Sequence, residues 1–255
     1  MEEAKFPLQA IPLGIGDFFS QRSYTTAFLV LGGRTRLLID CPDPLRKILF
    51  ESTSSAGIPT DANEIDAVLL THLHGDHANG LEGLGFYRRM SPHSPGRPAL
   101  HALPEVLSDL WERKLRGSMG RSYMPHKGVD AVNSLEDFFA PHAVAPGRPF
   151  RIGDLEVEIR RSRHAVPCFG CKIRCEGRTL GYSGDTDFDP RHIEFLAESD
   201  LIFHETNTGI HADYCELAKL PEPLRRKMRL VHLSDEFDRA ASAIEPAEAG
   251  RAYMV

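Results

Sequence analysis

One segment of the chain places three histidines and an aspartate within six positions, directly after a short apolar run. It reads AVLLTHLHGDHANG, from Ala67 to Gly80. The apolar residues predict a buried strand, so the polar residues come at the carboxyl end of that strand. Buried imidazoles and carboxylates need partners, and any fold of this chain must supply them.

Histidines at positions i and i+2 that leave a strand can converge on one metal ion. His72 and His74 have this spacing, and we expect Gly75 to permit a tight turn after them. Asp76 and His77 lie one step further round the turn and can bind a second ion. A divalent ion needs about four to six ligands, so both sites must be completed from elsewhere in the chain.

Three later residues lie where predicted strands end, which is where open α/β folds place their chemistry. His164 follows RRSR before a proline, Asp185 lies in GYSGDT, and His232 ends RLVH. The short carboxylate of Asp185 can bridge two ions. One such residue alone is more often an ordinary hydrogen-bonded side chain, but the whole set favours a dinuclear metal site.

Patterns elsewhere predict a layered α/β protein. TTAFLVLGGRTRLLID predicts two strands joined at Gly32-Gly33, with a helix from Pro44. Further strands are predicted at 155–159, in CKIRC and TLGYSG, and at 201–204 and 230–233, with helices at 190–198 and 222–228. From about residue 86 to residue 149 the many prolines predict a loosely patterned region with one helix near 103–115.

Composition limits the class of protein. We expect one domain over residues 1–255, since 42% of the residues are hydrophobic. No apolar run reaches membrane-spanning length, and MEEAKFPLQ has no signal pattern, so we expect a cytoplasmic protein. The net charge of −6 makes a nucleic-acid partner unfavourable. We expect Cys168, Cys171 and Cys175 to be buried thiols rather than a zinc site, because no second C-x-x-C completes one.

The sequence resembles a known family of hydrolases. THLHGDH, His164, SGDT with Asp185, and His232 occur in the order of the metal motifs of metallo-β-lactamase-fold hydrolases. PLGIGD, LLID, HAVPCFGCKI and DLIFHET are similar to the branch that includes ribonuclease Z and cyclic-nucleotide phosphodiesterases. The resemblance spans almost the whole chain. It implies an αββα sandwich with a dinuclear centre at one edge.

The resemblance also implies a role for each site residue. The first metal would be held by His72, His74 and His164, the second by Asp76, His77 and His232, and Asp185 would bridge them. Asp40 matches a carboxylate that orients a histidine ligand. Zinc is the expected ion and manganese the second choice, because nitrogen and oxygen ligands select poorly among these ions.

A catalytic pair follows from the same resemblance. In HETNTGIHADY, His211 corresponds to a histidine that protonates the leaving oxygen, and Glu205 to the glutamate that orients it. The surrounding residues differ from those usual in the family, so a surface-loop histidine remains the alternative. We count Asp76 with this pair as a catalytic candidate.

The substrate is expected to be a small anionic phosphodiester such as a cyclic nucleotide. Ribonuclease Z carries a long tRNA-gripping arm between the positions of His164 and Asp185, and only twenty residues separate them here. Three alternatives remain: cleavage of a lactone, thioester or β-lactam, ribonuclease Z-like RNA processing, and a non-enzymatic role on the same scaffold. The family often forms homodimers, and we expect one here.

A basic stretch, WERKLRGSMGRSYMPHK over residues 111–127, offers a second hypothesis about substrate contacts. Its basic residues could cover an anion, and Trp111 or Tyr123 could stack on a base. The basic residues are Arg113, Lys114, Arg116, Arg121 and Lys127. An ordinary solvated helix and loop is the favoured interpretation.

Overall fold

A computed structural model of the chain describes residues 5–124 and 129–255. The strands in these ranges are β1 (Phe6–Gly14), β2 (Ala27–Gly33), β3 (Thr35–Ile39), β4 (Ala67–Leu69), β5 (Ala99–Ala102), β6 (Arg121–Met124), β7 (Val129–Val132), β8 (Ala140–Ala143), β9 (Phe150–Ile152), β10 (Leu155–Arg161), β11 (Phe169–Cys175), β12 (Arg178–Tyr182), β13 (Leu201–Glu205), β14 (Met228–Val231) and β15 (Tyr253–Met254). The α-helices are α1 (Leu45–Ser55), α2 (Gly75–Ala78), α3 (Leu81–Met90), α4 (Pro104–Asp109), α5 (Arg116–Met119), α6 (Pro190–Ala197), α7 (Tyr214–Ala218) and α8 (Glu222–Lys227).

The first sheet has seven strands in the order β15-β1-β2-β3-β4-β5-β8. Strands β1, β2 and β3 pair antiparallel, whereas β3, β4, β5 and β8 run parallel. The predicted hairpin at Gly32-Gly33 is confirmed, and Gly33 has a φ of 58° that glycine adopts without steric cost. The carboxyl ends of β3 and β4 therefore lie side by side, which brings Asp40 next to the histidine-rich segment.

The second sheet has six strands in the order β14-β13-β12-β11-β10-β9. Strands β9 to β12 form an antiparallel meander, and β12, β13 and β14 are parallel. Three parallel strands end at one edge, so the segments that carry Asp185, Glu205 and His232 meet there. Strand β14 begins two residues before the predicted 230–233, and α8 accordingly ends at Lys227.

The two sheets pack face to face through large aromatic side chains. The ring of Phe28 on β2 lies 4.9 Å from Tyr182 and 4.8 Å from Phe203, which belong to the second sheet. Helices α1 and α3 add Ile48 and Leu84 to this core. Helices α6, α7 and α8 cover the second sheet over a separate apolar cluster. These layers are the αββα sandwich that the resemblance implied.

The expectation of a loose region from 86 to 149 is wrong for most of its described length. The predicted helix near 103–115 is present as α4, followed by a π-helical turn at Leu110–Leu115 and by α5. Prolines do not prevent this order, because Pro104 begins a helix and Pro141 lies on β8, the last strand of its sheet. The prediction for Lys127 falls outside the described residues.

The described residues include no helix long and apolar enough to span a membrane. The longest helix among them, α1, has 11 residues. A bilayer needs about 20 apolar residues in one helix.

Candidate metal centre

The first group of candidate ligands gathers three imidazoles around one point. Nδ1 of His74 lies 3.1 Å from Nε2 of His72 and 3.0 Å from Nε2 of His164. Oδ2 of Asp185 lies 3.7 Å from the His72 nitrogen and 3.9 Å from the His164 nitrogen. Four predicted residues from three separate segments are therefore brought together.

The second group lies beside the first and contains the other predicted ligands. Oδ2 of Asp76 is 3.2 Å from Nε2 of His77 and 3.3 Å from Nε2 of His232. Asp185 reaches this group as well, with Oδ1 at 3.4 Å from His77 and Oδ2 at 3.5 Å from His232. Asp185 is thus the side chain shared by both groups, as the sequence predicts for a bridging ligand.

A hydrogen bond to the backbone and a glycine turn position the segments of His164 and Asp185 at this edge. The hydroxyl of Ser162 donates to the carbonyl oxygen of Asp185 at 2.6 Å, which joins the segment of His164 to the SGDT turn. Gly184 in that turn has a φ of 58°, and a Cβ there would lie 2.3 Å from the carbonyl oxygen of Phe169. Only glycine fits the turn that presents Asp185.

A buried carboxylate orients two of the histidines. Oδ2 of Asp40 lies 2.8 Å from Nδ1 of His77. The hydroxyl of Thr71 donates to Asp40 and lies 2.9 Å from Nδ1 of His72. Each ring therefore keeps a proton on Nδ1, which leaves Nε2 as the nitrogen that faces the shared centre.

Two of these residues have an unusual backbone. Asp40 has a φ of 60° and His232 a φ of 58°, in the left-handed region that costs non-glycine residues about 1–2 kcal/mol. Each follows the end of a strand, β3 or β14. Strain of this kind persists only where surrounding contacts fix it, and it concentrates at functional sites.

Burial keeps part of the first group neutral. It lowers the pKa of His72 well below the ordinary value for histidine, and it lowers the pKa of His164 to about 4. Both rings are therefore unprotonated at pH 7. The neutral imidazole is the form that binds a metal ion.

The donor atoms fit a pair of divalent ions. Nitrogen and oxygen ligands bound tetrahedrally at about 2.0–2.1 Å lie about 3.3 Å from one another, and the separations above scatter around this value. Nε2 of His77 and Oδ1 of Asp185 are buried without any hydrogen-bond partner. Such atoms are costly unless an ion satisfies them. The residues present can hold divalent metal.

His211 lies beside this centre, on the loop between β13 and α7. Its Nδ1 lies 2.8 Å from Oε2 of Glu205 and 3.0 Å from Oε1. Its ring centroid is 4.7 Å from that of His232. Glu205 is fully buried and also accepts from the backbone N–H of Thr186. The carboxylate therefore fixes the ring and leaves Nε2 available to a ligand.

A cavity of about 390 Å³ opens onto the centre. Residues of the centre form its floor, and two features that the sequence reasoning missed form its rim: the adjacent Phe18 and Phe19, and Ile210. The doublet FF directly after PLGIGD was the available signal. A sequence alone does not show which apolar residues are exposed, so this doublet equally fits a buried core.

The described residues of the basic stretch form contacts within the helical segment and with the core. Arg113 and Arg116 pair with Asp109 and Glu112 one helical turn away, and the Lys114 ammonium donates to the carbonyl oxygen of Leu73 at 3.3 Å. Trp111 packs against the hydrophobic core. None of the described residues of this stretch, 111–124, lines the cavity above the centre.

Two smaller expectations have clear outcomes. Cys168, Cys171 and Cys175 are buried free thiols, and burial raises the pKa of each.

The tight turn expected at Gly75 is wrong, because α2 begins there with ordinary helical geometry. Space at Gly75 is nevertheless limited, since a Cβ would lie 2.8 Å from the Asn79 amide nitrogen and 3.0 Å from the Phe18 ring, and these side chains would have to shift.

Comparison with known proteins gives a consistent result. A family profile described as "Anti-Pycsar protein Apyc1" matches residues 8–251. The protein of that name from Paenibacillus sp. (strain J14) is 32% identical over 236 residues, which are 89% of this chain and 89% of that protein. The cAMP/cGMP-dependent 3′,5′-cAMP/cGMP phosphodiesterase B of Dictyostelium discoideum is 24% identical over 270 residues, 97% of this chain but 22% of that protein.

A solved structure confirms the fold. The metallo-beta-lactamase fold protein YhfI from Bacillus subtilis superposes with a TM-score of 0.74, covering 97% of this chain and 99% of that one. The sequences are 19% identical. This likeness establishes the layered architecture and carries no statement about substrate.

Proposed function

The chain belongs to the Anti-Pycsar protein Apyc1 family, and we propose that it is a dinuclear metal phosphodiesterase that hydrolyses 3′,5′-cyclic nucleotides. One observation carries this proposal: two groups of candidate metal ligands lie side by side, and Asp185 lies within 3.4–3.9 Å of histidine nitrogens in both, on the floor of a cavity that His211 also lines. A relative from Dictyostelium discoideum that aligns with 97% of this chain is named as a cyclic-nucleotide phosphodiesterase, which supports the substrate class.

The chain supplies seven ligands in this proposal. The first ion would be held by His72, His74 and His164, the second by Asp76, His77 and His232, and Asp185 would contact both. When bound, such ions polarise a phosphoryl group and lower the pKa of water, so that hydroxide can attack phosphorus near neutral pH. Zinc is the first choice for both positions and manganese the second.

The chain's own residues then hold and protonate the substrate. Asp40 keeps His77 in one tautomer, and through Thr71 it does the same for His72. Glu205 holds Nδ1 of His211, so Nε2 faces the cavity and can deliver a proton to the oxygen that leaves when the phosphorus–oxygen ester bond breaks. Asp76 and His211 both line this cavity, so both catalytic candidates could contact the same bound substrate.

The described structure weighs against RNA processing. The connection between β11 and β12 is the two-residue turn Glu176-Gly177, so no arm is inserted between His164 and Asp185. A net charge of −6 also gives little attraction for a polyanion. A cytoplasmic location and a homodimer remain predictions.

A substrate panel tests the assignment. Purified protein supplied with Zn²⁺ or Mn²⁺ is assayed with 3′,5′-cyclic AMP, an acyl-homoserine lactone, a thioester of glutathione, a cephalosporin and a precursor tRNA. The proposal predicts a kcat/KM for cyclic AMP well above those for the other four. Faster turnover of the lactone, the thioester or the β-lactam would place the chain in another hydrolase class on the same scaffold.

A further inference from the structure

The rim of the cavity above the metal centre is apolar and exposed. Phe18 is 52% exposed, Phe19 82% and Ile210 51%. In the part of the chain that the structure describes, eight large hydrophobic side chains are exposed, and three of the eight line this one cavity. Exposed aromatic rings lose favourable burial, so their concentration at one opening indicates a surface that a ligand covers.

The loop that presents the two phenylalanines is held in place. The carboxylate of Asp17 accepts from the backbone N–H of Phe19 at 2.9 Å and from the Asn207 amide at 2.8 Å. The hydroxyl of Ser20 donates to Asp235 at 2.6 Å. Asn207 belongs to the loop that also carries Ile210 and His211. Its hydrogen bond to Asp17 therefore connects that loop to the segment that carries the two phenylalanines. The aromatic surface is therefore largely preorganised.

The chemistry of the rim selects a flat, neutral ligand group. Phe18 and Phe19 lie edge to face, with ring centroids 5.1 Å apart, so one ring can offer its face while the other offers its edge. Neither they nor Ile210 carries a polar side-chain atom. A second phosphate would find no donor among these three side chains, whereas an aromatic heterocycle would stack there.

We propose that Phe18, Phe19 and Ile210 form the binding surface for the nucleobase, and that they make the enzyme select cyclic nucleotides over phosphodiesters that lack a base. The inference rests on the proposed function, which places the phosphate at the floor of the same cavity. The base then projects from the ribose towards the rim. The cavity of about 390 Å³ is of a size typical for small-ligand sites.

The test compares two substrates in the metal-loaded enzyme. One is 3′,5′-cyclic AMP, and the other is the 3′,5′-cyclic phosphate of methyl riboside, which has the same reacting ring but no base. Phe18→Ala and Phe19→Ala should each raise KM for cyclic AMP by about 5- to 100-fold, the value of one lost stacking contact. Both should leave kcat nearly unchanged and the kinetics of the base-free substrate unaffected.

Two further variants make the result specific. Phe50→Ala is the matched control, because Phe50 is also an exposed phenylalanine, at 67%, but lies on α1 and lines a different cavity. It should change neither substrate. Phe19→Trp keeps a stacking ring, so its KM for cyclic AMP should remain close to that of the wild type.

The outcomes separate the inference from the function on which it rests. Wild type that hydrolyses neither substrate overturns the proposed function and the inference with it. Wild type that hydrolyses both, with Phe18→Ala and Phe19→Ala unchanged or equally impaired on both substrates, overturns the inference alone. A change in oligomeric state of these variants without a selective rise in KM for cyclic AMP would make the rim a protein interface, and this also overturns the inference.

Discussion

Oδ2 of Asp40 lies 2.8 Å from Nδ1 of His77, and both side chains are completely buried. Water therefore does not compete for the hydrogen bond between Asp40 and His77. Asp40 also accepts from the backbone N–H of Thr71 at 2.8 Å and from its hydroxyl. One carboxylate thus fixes a histidine of the second group directly and a histidine of the first group through a threonine.

Replacing this carboxylate should weaken metal binding without unfolding the protein. In Asp40→Asn the amide offers one acceptor oxygen where the carboxylate offers two, so either His77 or Thr71 faces an NH₂ group. Asparagine tolerates the φ of 60° at this position. We expect metal affinity to fall by about 10- to 100-fold, measured by competition with a chromophoric chelator.

The control for that experiment is Asp43→Asn, an exposed aspartate three residues along. Its metal affinity should equal that of the wild type. Equal affinity in Asp40→Asn and wild type would show that the buried carboxylate has no influence on the centre.

His211 should act on the leaving group. We expect His211→Ala to lower kcat for cyclic AMP by about 10²- to 10⁴-fold, the usual loss on removal of a general acid. With bis(p-nitrophenyl) phosphate the loss should be much smaller, because p-nitrophenolate leaves without a proton. His93→Ala, which changes an exposed histidine, serves as the control. An equal loss on both substrates would assign His211 to binding or to structure instead.

Acid should destabilise the protein through buried histidines away from the metal centre. Burial, together with a smaller effect of the neighbouring His142, lowers the pKa of His101 to about 4. An unfolded histidine has a pKa of about 6.5, so the unfolded chain binds the proton more readily. The stability associated with neutral His101 is therefore complete above pH 6.5 and is lost as the pH falls towards 4.

The matched measurement is the free energy of unfolding of wild type and His101→Gln at several pH values. Between pH 7 and pH 4.5 the wild type should lose about 1–3 kcal/mol more than the variant, because glutamine does not titrate. The difference between the two proteins cancels effects that they share, including loss of metal. A pH-independent difference would mean that His101 is not held neutral by the fold.

Local pattern was sufficient to predict much of the scaffold. The hairpin at Gly32-Gly33, the helix after Pro44 and the meander from 155 to 182 all follow from alternation and turn residues. The many prolines from 86 to 149 predict a loosely patterned region, but proline disrupts order only at positions that need its N–H. Pro104 instead begins a helix, and Pro141 lies on the last strand of its sheet, where no neighbour needs its missing N–H.

The clustering of the candidate ligands was predictable, because they follow recognisable strands whose carboxyl ends lie at one edge. The rim was not predictable in this way. Phe18 and Phe19 resemble core residues in a one-dimensional sequence, and their exposure depends on the Asp17–Asn207 contact between segments 190 residues apart. The close approach of Phe18 to Gly75 is likewise a contact between segments distant in sequence.

The central claim is that one side chain, Asp185, joins two metal positions. The most direct test is the metal content per chain of wild type and Asp185→Ala, measured by mass spectrometry after loading with Zn²⁺, alongside cyclic AMP hydrolysis. The account predicts about two ions in the wild type, and in the variant a loss of metal together with loss of hydrolysis. An Asp185→Ala protein that keeps both its metal and its activity would contradict it.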